Sequence, residues 1–341
     1  MIAALAIASP AAAAVGPGPR LAFVEWLAEP PMTRLTSVAA DRPGRQTLPL
    51  YGVMPSPFEG PAWSADGSTL VFSGYRLDAK GELRGDGVPR LFVVAAEGGQ
   101  PRQLVGTRGA TRPVLSPDGR TLAFARSRLT DRYDPEQPLK FGLQLTATVW
   151  TIPFEGGEAR RLTPWRNRLL NLPASFSPDG SALLIERDRG SGQGPEVLAR
   201  DLRGGPARVI ARGAEDPAFS PDGTEIALVS NRDTPRVATG GRIEPIGELY
   251  VVNADGSRPR RLTKTKTAQE SQPSWSPSGA RIAFLRTPGP GGLGNGSTLM
   301  QANADGSCAR RVSGASGRSA PALYGPVWQP GPGREAVTLV C

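Results

Sequence analysis

The stretch PVLSPDGRTLAFA at residues 113–125 decides the fold, because the same phrase returns along the chain. The other copies are PAWSADGSTLVFS at 61–73, ASFSPDGSALLIE at 174–186, PAFSPDGTEIALVS at 217–230, PSWSPSGARIAFL at 273–285 and a clipped PVWQPG at 326–331. An internal repeat of this length indicates an array of equivalent structural units.

Each repeat predicts four antiparallel strands. The Ser-Pro-Asp-Gly step is a tight turn, since Pro presets φ, Asp bonds to the local backbone, and Gly accepts the left-handed conformation. It separates the first strand from an alternating second strand. A later phrase, such as LYVVNADGSRPRRLT at 249–263, supplies the third and fourth strands. Four antiparallel strands per repeat are typical of a β-propeller blade.

The two ends of the chain complete one another in this pattern. Residues 20–26, RLAFVEW, resemble a second strand, and 35–48, LTSVAADRPGRQTL, resemble a third and a fourth. The clipped copy at 326–331 supplies the missing first strand. We therefore predict an all-β, six-bladed β-propeller, a single domain over 20–341, closed by a blade shared between the N- and C-terminal segments.

The repeated [WF]-S-P-D-G phrase, followed by L-Y-V and R-L-T, resembles the WD-like repeat of TolB-type propellers over nearly the whole chain from about residue 20. The resemblance implies the propeller fold. The Tol translocation protein carries a further N-terminal α/β domain, for which this sequence has no room before the first blade. The resemblance is therefore to the propeller only, and that protein's partners are not transferred.

The first 19 residues predict a signal peptide and a short linker. The run MIAALAIASPAAAAV is apolar and ends in small residues, although it has no positively charged start. We expect an exported protein (periplasmic, cell-surface or extracellular) with no membrane span in the mature chain. In an oxidising compartment Cys308 and Cys341 could form a disulfide, and two free thiols are the alternative.

The composition limits the chemistry. The sequence contains no histidine, which removes the usual neutral base and the commonest transition-metal ligand. We expect no catalytic residue, no metal and no cofactor. The formal net charge is +9, yet Asp and Glu are interspersed and no long basic run exists. Nucleic acid is therefore not an expected partner.

Loop lengths predict where binding occurs. All tight glycine turns belong to one face of the blades, and the long, variable loops belong to the other, which makes the long-loop face the candidate binding face. At its channel mouth we expect the residues that enter each first strand, of which Arg112, Asp216 and Gln272 are polar. Arg126, Arg232 and Arg286 leave the second strands on the same face and could form an electropositive rim. Ion pairing between loops is the alternative explanation of such arginines.

These observations favour an exported, monomeric, non-enzymatic propeller that binds a protein or an anionic cell-envelope polymer. The alternative is a propeller enzyme, similar to a polysaccharide lyase or a cyclase, with a histidine-free site at the central channel.

Overall fold

The computed structural model describes residues 20–27, 32–41, 44–57, 59–130, 144–166, 169–190, 194–234, 236–239, 242–289, 296–314, 322–331 and 338–341. These residues form strands and turns and contain no helix, so the protein is all-β. Accordingly, no helix in the described ranges has the length and hydrophobicity to cross a membrane. The predicted signal peptide at 1–19 lies outside the described residues.

The strands follow the chain in antiparallel groups. The first are β1 (Arg20–Leu27), β2 (Met32–Ala39), β3 (Arg45–Thr47), β4 (Val53–Pro55), β5 (Ala62–Trp63), β6 (Thr69–Arg76), β7 (Arg90–Ala95) and β8 (Arg102–Gln103). Next are β9 (Ala110–Leu115), β10 (Thr121–Thr130), β11 (Gln144–Pro153), β12 (Arg160–Arg161), β13 (Leu170–Phe176), β14 (Ala182–Asp188), β15 (Glu196–Asp201) and β16 (Arg208–Arg212). The last are β17 (Ala214–Phe219), β18 (Glu225–Ser230), β19 (Arg236–Thr239), β20 (Arg242–Pro245), β21 (Glu248–Asn253), β22 (Arg260–Arg261), β23 (Ala268–Trp275), β24 (Arg281–Pro288), β25 (Thr298–Asn303), β26 (Arg310–Gly314) and β27 (Ala322–Trp328).

One sheet contains strands from both ends of the described chain. Its order is β27-β1-β2-β3. The β27 and β1 strands are antiparallel, with a register that runs from Leu21 opposite Trp328 to Trp26 opposite Ala322. This is the strand arrangement that the sequence predicts for the two chain ends.

The remaining groups repeat the same antiparallel order. The β6 strand pairs with β7 and with both β4 and β5, and β8 follows β7. The groups β9–β12 and β13–β16 are linked by one parallel bridge between Ala147 and Leu170. The order β17-β18-β21-β22 leaves β19 and β20 as a separate hairpin between β18 and β21, and β23–β26 form the last group.

The turn between the first two strands of a group is held by side chains. In the third full copy of the phrase, the Ser177 hydroxyl donates to Asp179 Oδ1 at 2.6 Å and accepts from the Ala182 amide at 2.9 Å. The Gly180 amide donates to the Ser177 carbonyl at 2.8 Å, and its φ of 70° is the left-handed value that favours glycine. Equivalent Ser–Asp bonds occur at Ser64, Ser116 and Ser220.

The core lies between neighbouring groups. One cluster packs Val71 and Leu91 of β6 and β7 against Leu122 and Phe124 of β10. The repeated tryptophans also bridge groups, because each indole N–H donates to a carbonyl on the first strand of an adjacent group. These bonds are Trp63 to Val327 at 3.1 Å, Trp275 to Ala218 at 3.1 Å and Trp328 to Ser274 at 3.0 Å.

Candidate functional site

A central cavity of about 610 Å³ lies among the first strands of the groups, namely β5, β9, β13, β17, β23 and β27. Arg112, Asp216 and Gln272 line it at one end, and the turn prolines Pro117 and Pro178 line it at the other. The wall between them is mostly small and apolar. An apolar cavity with a few convergent polar groups is the usual form of a ligand site.

The polar end of the cavity is built by a repeated backbone irregularity. Six residues, which we call the channel belt, each stand directly before a proline: Gly60, Arg112, Leu172, Asp216, Gln272 and Gly325. Proline has no N–H to give to a strand ladder, so within sheets it is confined to edges and bulges. The register shifts beside five of these positions, in β9, β13, β17, β23 and β27.

Four belt residues adopt the left-handed backbone conformation. Their φ values are 48° at Arg112, 50° at Asp216, 52° at Gln272 and 59° at Gly325. This conformation is unfavourable for residues with a Cβ and is concentrated at functional sites in proteins. The bulge thereby directs three different polar residues to the end of the cavity.

At the bulges, backbone amides of belt residues donate hydrogen bonds to side chains of a neighbouring group instead of to a partner strand. The Gln272 amide donates to Asp216 Oδ2 at 3.0 Å, and the Gly325 amide donates to Gln272 Oε1 at 2.6 Å. The Asp216 amide donates to Glu186 Oε2 at 3.2 Å. Asp216 and Gln272 therefore have a structural role as acceptors that connect neighbouring groups.

A fourth link in the belt comes from a residue next to it, since the Arg112 amide donates to Glu59 Oε2 at 2.5 Å. The Arg112 side chain has a different role, because a guanidinium group has no acceptor. Its Nη1 lies 3.7 Å from Glu186 Oε2, and 32% of the side chain remains exposed to the cavity.

Charge at the belt is dominated by carboxylates. Burial raises the pKa of Glu59 to about 7, against the opposing effect of Arg112. Burial and then the neighbouring Asp216 raise the pKa of Glu215 to about 8. The pKa values of Glu186 and Asp216 are also raised, chiefly by burial. Four carboxyl groups thus surround a single guanidinium.

The three arginines predicted for the rim are not among the residues that line the cavity in the described structure. The Arg126 guanidinium lies 4.4 Å from the centre of the Trp150 ring and donates to the Gly106 carbonyl. Arg232 lies 5.9 Å from the Tyr250 ring. Arg286 binds the buried carboxylate of Glu270, with Nη2 at 2.7 Å and Nε at 3.0 Å from Oε1. The structure therefore brings Arg112, Asp216 and Gln272 together and leaves these three apart.

The two cysteines lie on the turn side of the last group. Cys308 and Cys341 are joined by a disulfide, with their Cα atoms 5.1 Å apart. The adjacent Leu339 is buried, and its amide donates to Asn303 Oδ1 at 2.7 Å. The C-terminal residues are thus attached to β25 and to the turn that follows it.

Sequence reasoning missed the carboxylates around Arg112. Glu59 and Glu215 directly precede belt residues, in Glu-Gly-Pro and Glu-Asp-Pro, and this recurrence is a signal that could have found them. Glu186 ends a copy of the repeated phrase, where other copies have an uncharged residue, and its closeness to Arg112 depends on the folded structure.

Comparison with known proteins shows the fold. No protein-family model matches the chain. It is 30% identical to a *Bacillus subtilis* protein described as an uncharacterized peptidase, over 55% of this chain and 23% of that protein. It is 29% identical to a TolB homologue of *Chlorobium luteolum*, over 40% of this chain and 28% of that protein. An uncharacterized *Agrobacterium fabrum* protein is 27% identical over 68% of this chain and 66% of its own length. The matches thus span from a quarter to just under two thirds of these relatives.

Solved structures resemble the fold over 92% of this chain. TolB from *Acinetobacter baumannii* superposes with a TM-score of 0.62 at 19% identity, covering 67% of that chain. Hydrazine synthase of *Kuenenia stuttgartiensis* superposes with a TM-score of 0.64 at 14% identity, covering 47% of that chain. The fold is therefore that of a TolB-like propeller. Proteins with such different names share it, so function must be argued from the site.

Proposed function

We propose that this protein is an exported, non-enzymatic six-bladed propeller that binds a segment of a protein partner at the channel belt. The observation that carries the proposal is the belt itself. A residue before proline recurs at all six first strands at the end of a 610 Å³ cavity, four of these residues share the left-handed backbone conformation, and the side chains differ from group to group. A repeated scaffold with varied side chains is what a specific binding site requires.

The proposal that six blades close into a ring rests on contacts between first strands. Each of β5, β9, β13, β17 and β23 contacts the next first strand, and β27 contacts both β23 and β5. Gly60 and Gly325 fit so closely that a Cβ on Gly325 would lie 2.1 Å from the Gly60 Cα. These contacts support six blades, with β27-β1-β2-β3 as the shared blade that closes the ring.

The belt also indicates the chemistry of the partner. Four carboxyl groups, those of Glu59, Glu186, Glu215 and Asp216, surround the one cation, Arg112, and burial opposes their ionisation. A positively charged group that enters this end of the cavity would favour the ionised form of these carboxyls, so the partner should offer a cation or hydrogen-bond donors. A lysine or arginine side chain, or a chain N-terminus, fits that description. An anionic polymer instead requires Arg126, Arg232 and Arg286 as a common surface.

The enzyme alternative requires a base and a nucleophile or metal at the cavity. In the described part of the chain, no group of three or more Asp, Glu or Cys residues could hold a metal ion, and the sequence has no histidine. The belt carboxylates already accept backbone amides or face Arg112. Product release from a panel of acidic polysaccharides incubated with the purified chain would favour the enzyme alternative.

Photo-crosslinking tests the proposed site. Benzoylphenylalanine replaces the belt residue Leu172 in one variant and the exposed turn residue Ser278 in a control. Both are produced with the native N-terminus in a bacterial host that carries the natural envelope. We expect a discrete crosslinked protein from the Leu172 position alone. Equal crosslinking at Ser278, or none at Leu172, would contradict binding at the belt.

Export is tested separately. Cell fractionation and the intact mass of the recovered protein should show a chain outside the cytoplasm that begins near residue 15 to 20. A full-length chain retained in the cytoplasm would contradict export without affecting the proposed site.

A further inference from the structure

A cluster of arginines and tryptophans on β10, β11 and β12 and in the segment that follows β12 is distinct from the channel. The Arg126 guanidinium lies 4.4 Å from the Trp150 ring centre, and Arg161 lies 6.0 Å from the same ring. Arg128 lies 4.2 Å from the ring centre of Trp165. We call these five residues the arginine stack.

Within the described part of the chain, the stack differs from the equivalent positions of other groups because its arginines have no carboxylate partner. Arg187 in β14 and Arg286 in β24 occupy the position of Arg126, and both bind a buried carboxylate, at 2.6 Å and 2.7 Å. Arg286 is paired in register with Glu270, whereas Arg126 is paired with Ala110 on one side and Thr148 on the other. The positive charge is kept in β10, and the described residues provide no carboxylate at the positions that pair with it.

The guanidinium groups of the stack retain unused hydrogen-bonding capacity. Among the described residues, no carboxylate forms an ion pair with Arg126, Arg128 or Arg161. The buried Nε of Arg126 has no acceptor there either. The Arg126 Nη2 already donates to the Gly106 carbonyl. Stacking on an indole holds a guanidinium flat and leaves the remaining N–H groups at its edge for an anion.

The spacing within the stack selects the shape of the anion. Arg126 and Arg128 are two residues apart on one strand, so they lie on the same face about 6.7 Å apart along it. An extended peptide with acidic residues at alternate positions presents carboxylates at the same interval. Each guanidinium can take one carboxylate through two parallel hydrogen bonds.

We propose that the arginine stack is a second docking surface, which binds an extended acidic segment of a protein partner. Both Arg126 and Arg161 lie over Trp150, which leaves little free ring surface for a sugar to stack upon. The positive charge and the spacing of Arg126 and Arg128, rather than stacking on a ring, therefore determine which ligand binds. This surface is independent of the channel belt.

The test uses fluorescence anisotropy with the mature protein and a labelled peptide of five Glu-Ser repeats, with a Gln-Ser peptide under the same label as the control. The variant R126Q/R128Q should weaken binding of the Glu-Ser peptide at least about tenfold, since each charge-assisted pair contributes on that scale. The matched variant R102Q/R160Q makes the same change in net charge at exposed arginines outside the stack and should change binding less than about twofold.

The variant R126K/R128K separates stacking from charge. It keeps both positive charges and should still weaken binding about fivefold, because an ammonium group lacks the planar fork. If R126Q/R128Q does not fold, this lysine variant decides the matter. Three results would overturn the proposal: equal loss in R102Q/R160Q, equal binding of the Gln-Ser peptide, or tighter stack-dependent binding of polygalacturonate than of the Glu-Ser peptide.

Discussion

The two ends of each first strand differ in what they repeat. At the turn end, both the backbone and the side-chain bonds recur from copy to copy. Where Ser278 replaces the aspartate, it still lies 3.2 Å from the Ser276 hydroxyl and accepts the Ala280 amide. At the belt end the left-handed backbone recurs, but the residues are Arg112, Asp216, Gln272 and Gly325.

Glycine is the residue that the left-handed conformation favours, but of the four belt residues that adopt it only Gly325 is glycine. A left-handed residue with a Cβ costs roughly 1–2 kcal/mol. Asp216 and Gln272 offset part of this cost by accepting amides of the next group. Arg112 cannot accept, so its side chain serves the charge balance of the cavity and, in our proposal, the partner. The turn end thus specifies the fold, and the belt end is where our proposal places the specificity of binding.

Removing one first strand should have the largest effect on stability, because the deletion removes both the turn end and the belt end of that strand. Deletion of residues 324–341 removes Tyr324–Trp328 of β27, with buried Trp328 and the pairing to β1. We expect the melting temperature to fall by more than about 10 °C, since losing a buried tryptophan alone costs about 3–5 kcal/mol. The control deletion of 332–341 keeps β27 and should cost less. Equal melting temperatures for the two deletions would contradict the shared blade.

The belt end also contains a buried ion pair, and its disruption should cause the second-largest loss of stability. Glu270 lies two residues before Gln272 and is fully buried beside Arg286. Arg286→Glu would leave that carboxylate without its partner and add a like charge, so unfolding free energy should fall by about 3–5 kcal/mol. Arg232→Glu is the matched change at an arginine that lies over the Tyr250 ring and forms no ion pair with the described residues. Urea denaturation that gives the same loss for both would refute this role of Glu270.

The disulfide strengthens the turn end alone. Replacing Cys308 and Cys341 by serine opens a loop spanning 33 residues and should cost about 3–4 kcal/mol on the chain-entropy model. Binding to the partner crosslinked at Leu172 should not change. Intact mass under non-reducing conditions should be two hydrogens lower than that of the reduced chain. Alkylation of both thiols without reductant would contradict the bond.

A change in pH should affect the stability contributed by the two ends in opposite directions. The melting temperature should shift by a few degrees. The pKa values of Glu59 and Glu215 are raised to about 7 and 8, above an ordinary value of about 4.3. The folded chain therefore holds these protons more tightly than the unfolded chain. Their contribution to stability is complete below about pH 4 and is lost as the pH rises through 7–8. At the turn end, hydrogen bonds from serine hydroxyls, Ser64 and Ser177 first, lower the pKa of Asp66 and Asp179 to about 2, so their contribution is lost only as the pH falls below about 4.

Calorimetry between pH 5 and pH 9 should accordingly show a falling melting temperature. Glu215→Gln should make the profile flatter, whereas the exposed control Glu155→Gln should keep the original slope. A melting temperature that rises over this range would show that the belt carboxylates do not govern it.

The repeat explains which features could be predicted from the sequence. Five copies of one phrase predict the turns, the strand pairing of the chain ends and the place of the belt, because each depends on local backbone chemistry. The partners of Arg112 and Arg286 could not be predicted in the same way. They lie on other strands or in other copies, and the bulges bring them together only in the folded chain. The contact of Arg126 with Trp150 likewise depends on the register of β10 and β11.

The most direct test of the difference between the two ends is the affinity for the partner crosslinked at Leu172, measured by isothermal titration calorimetry. Arg112→Gln changes the belt end, and Ser177→Ala changes the turn end at a cost in stability of about 1 kcal/mol. The account predicts that Arg112→Gln changes the dissociation constant by about tenfold or more, while Ser177→Ala leaves it within about twofold. For the cationic partner proposed above, the change in Arg112→Gln should be toward tighter binding, because the variant removes the one cation at the belt. An unchanged affinity in Arg112→Gln together with a lost affinity in Ser177→Ala would contradict this expectation.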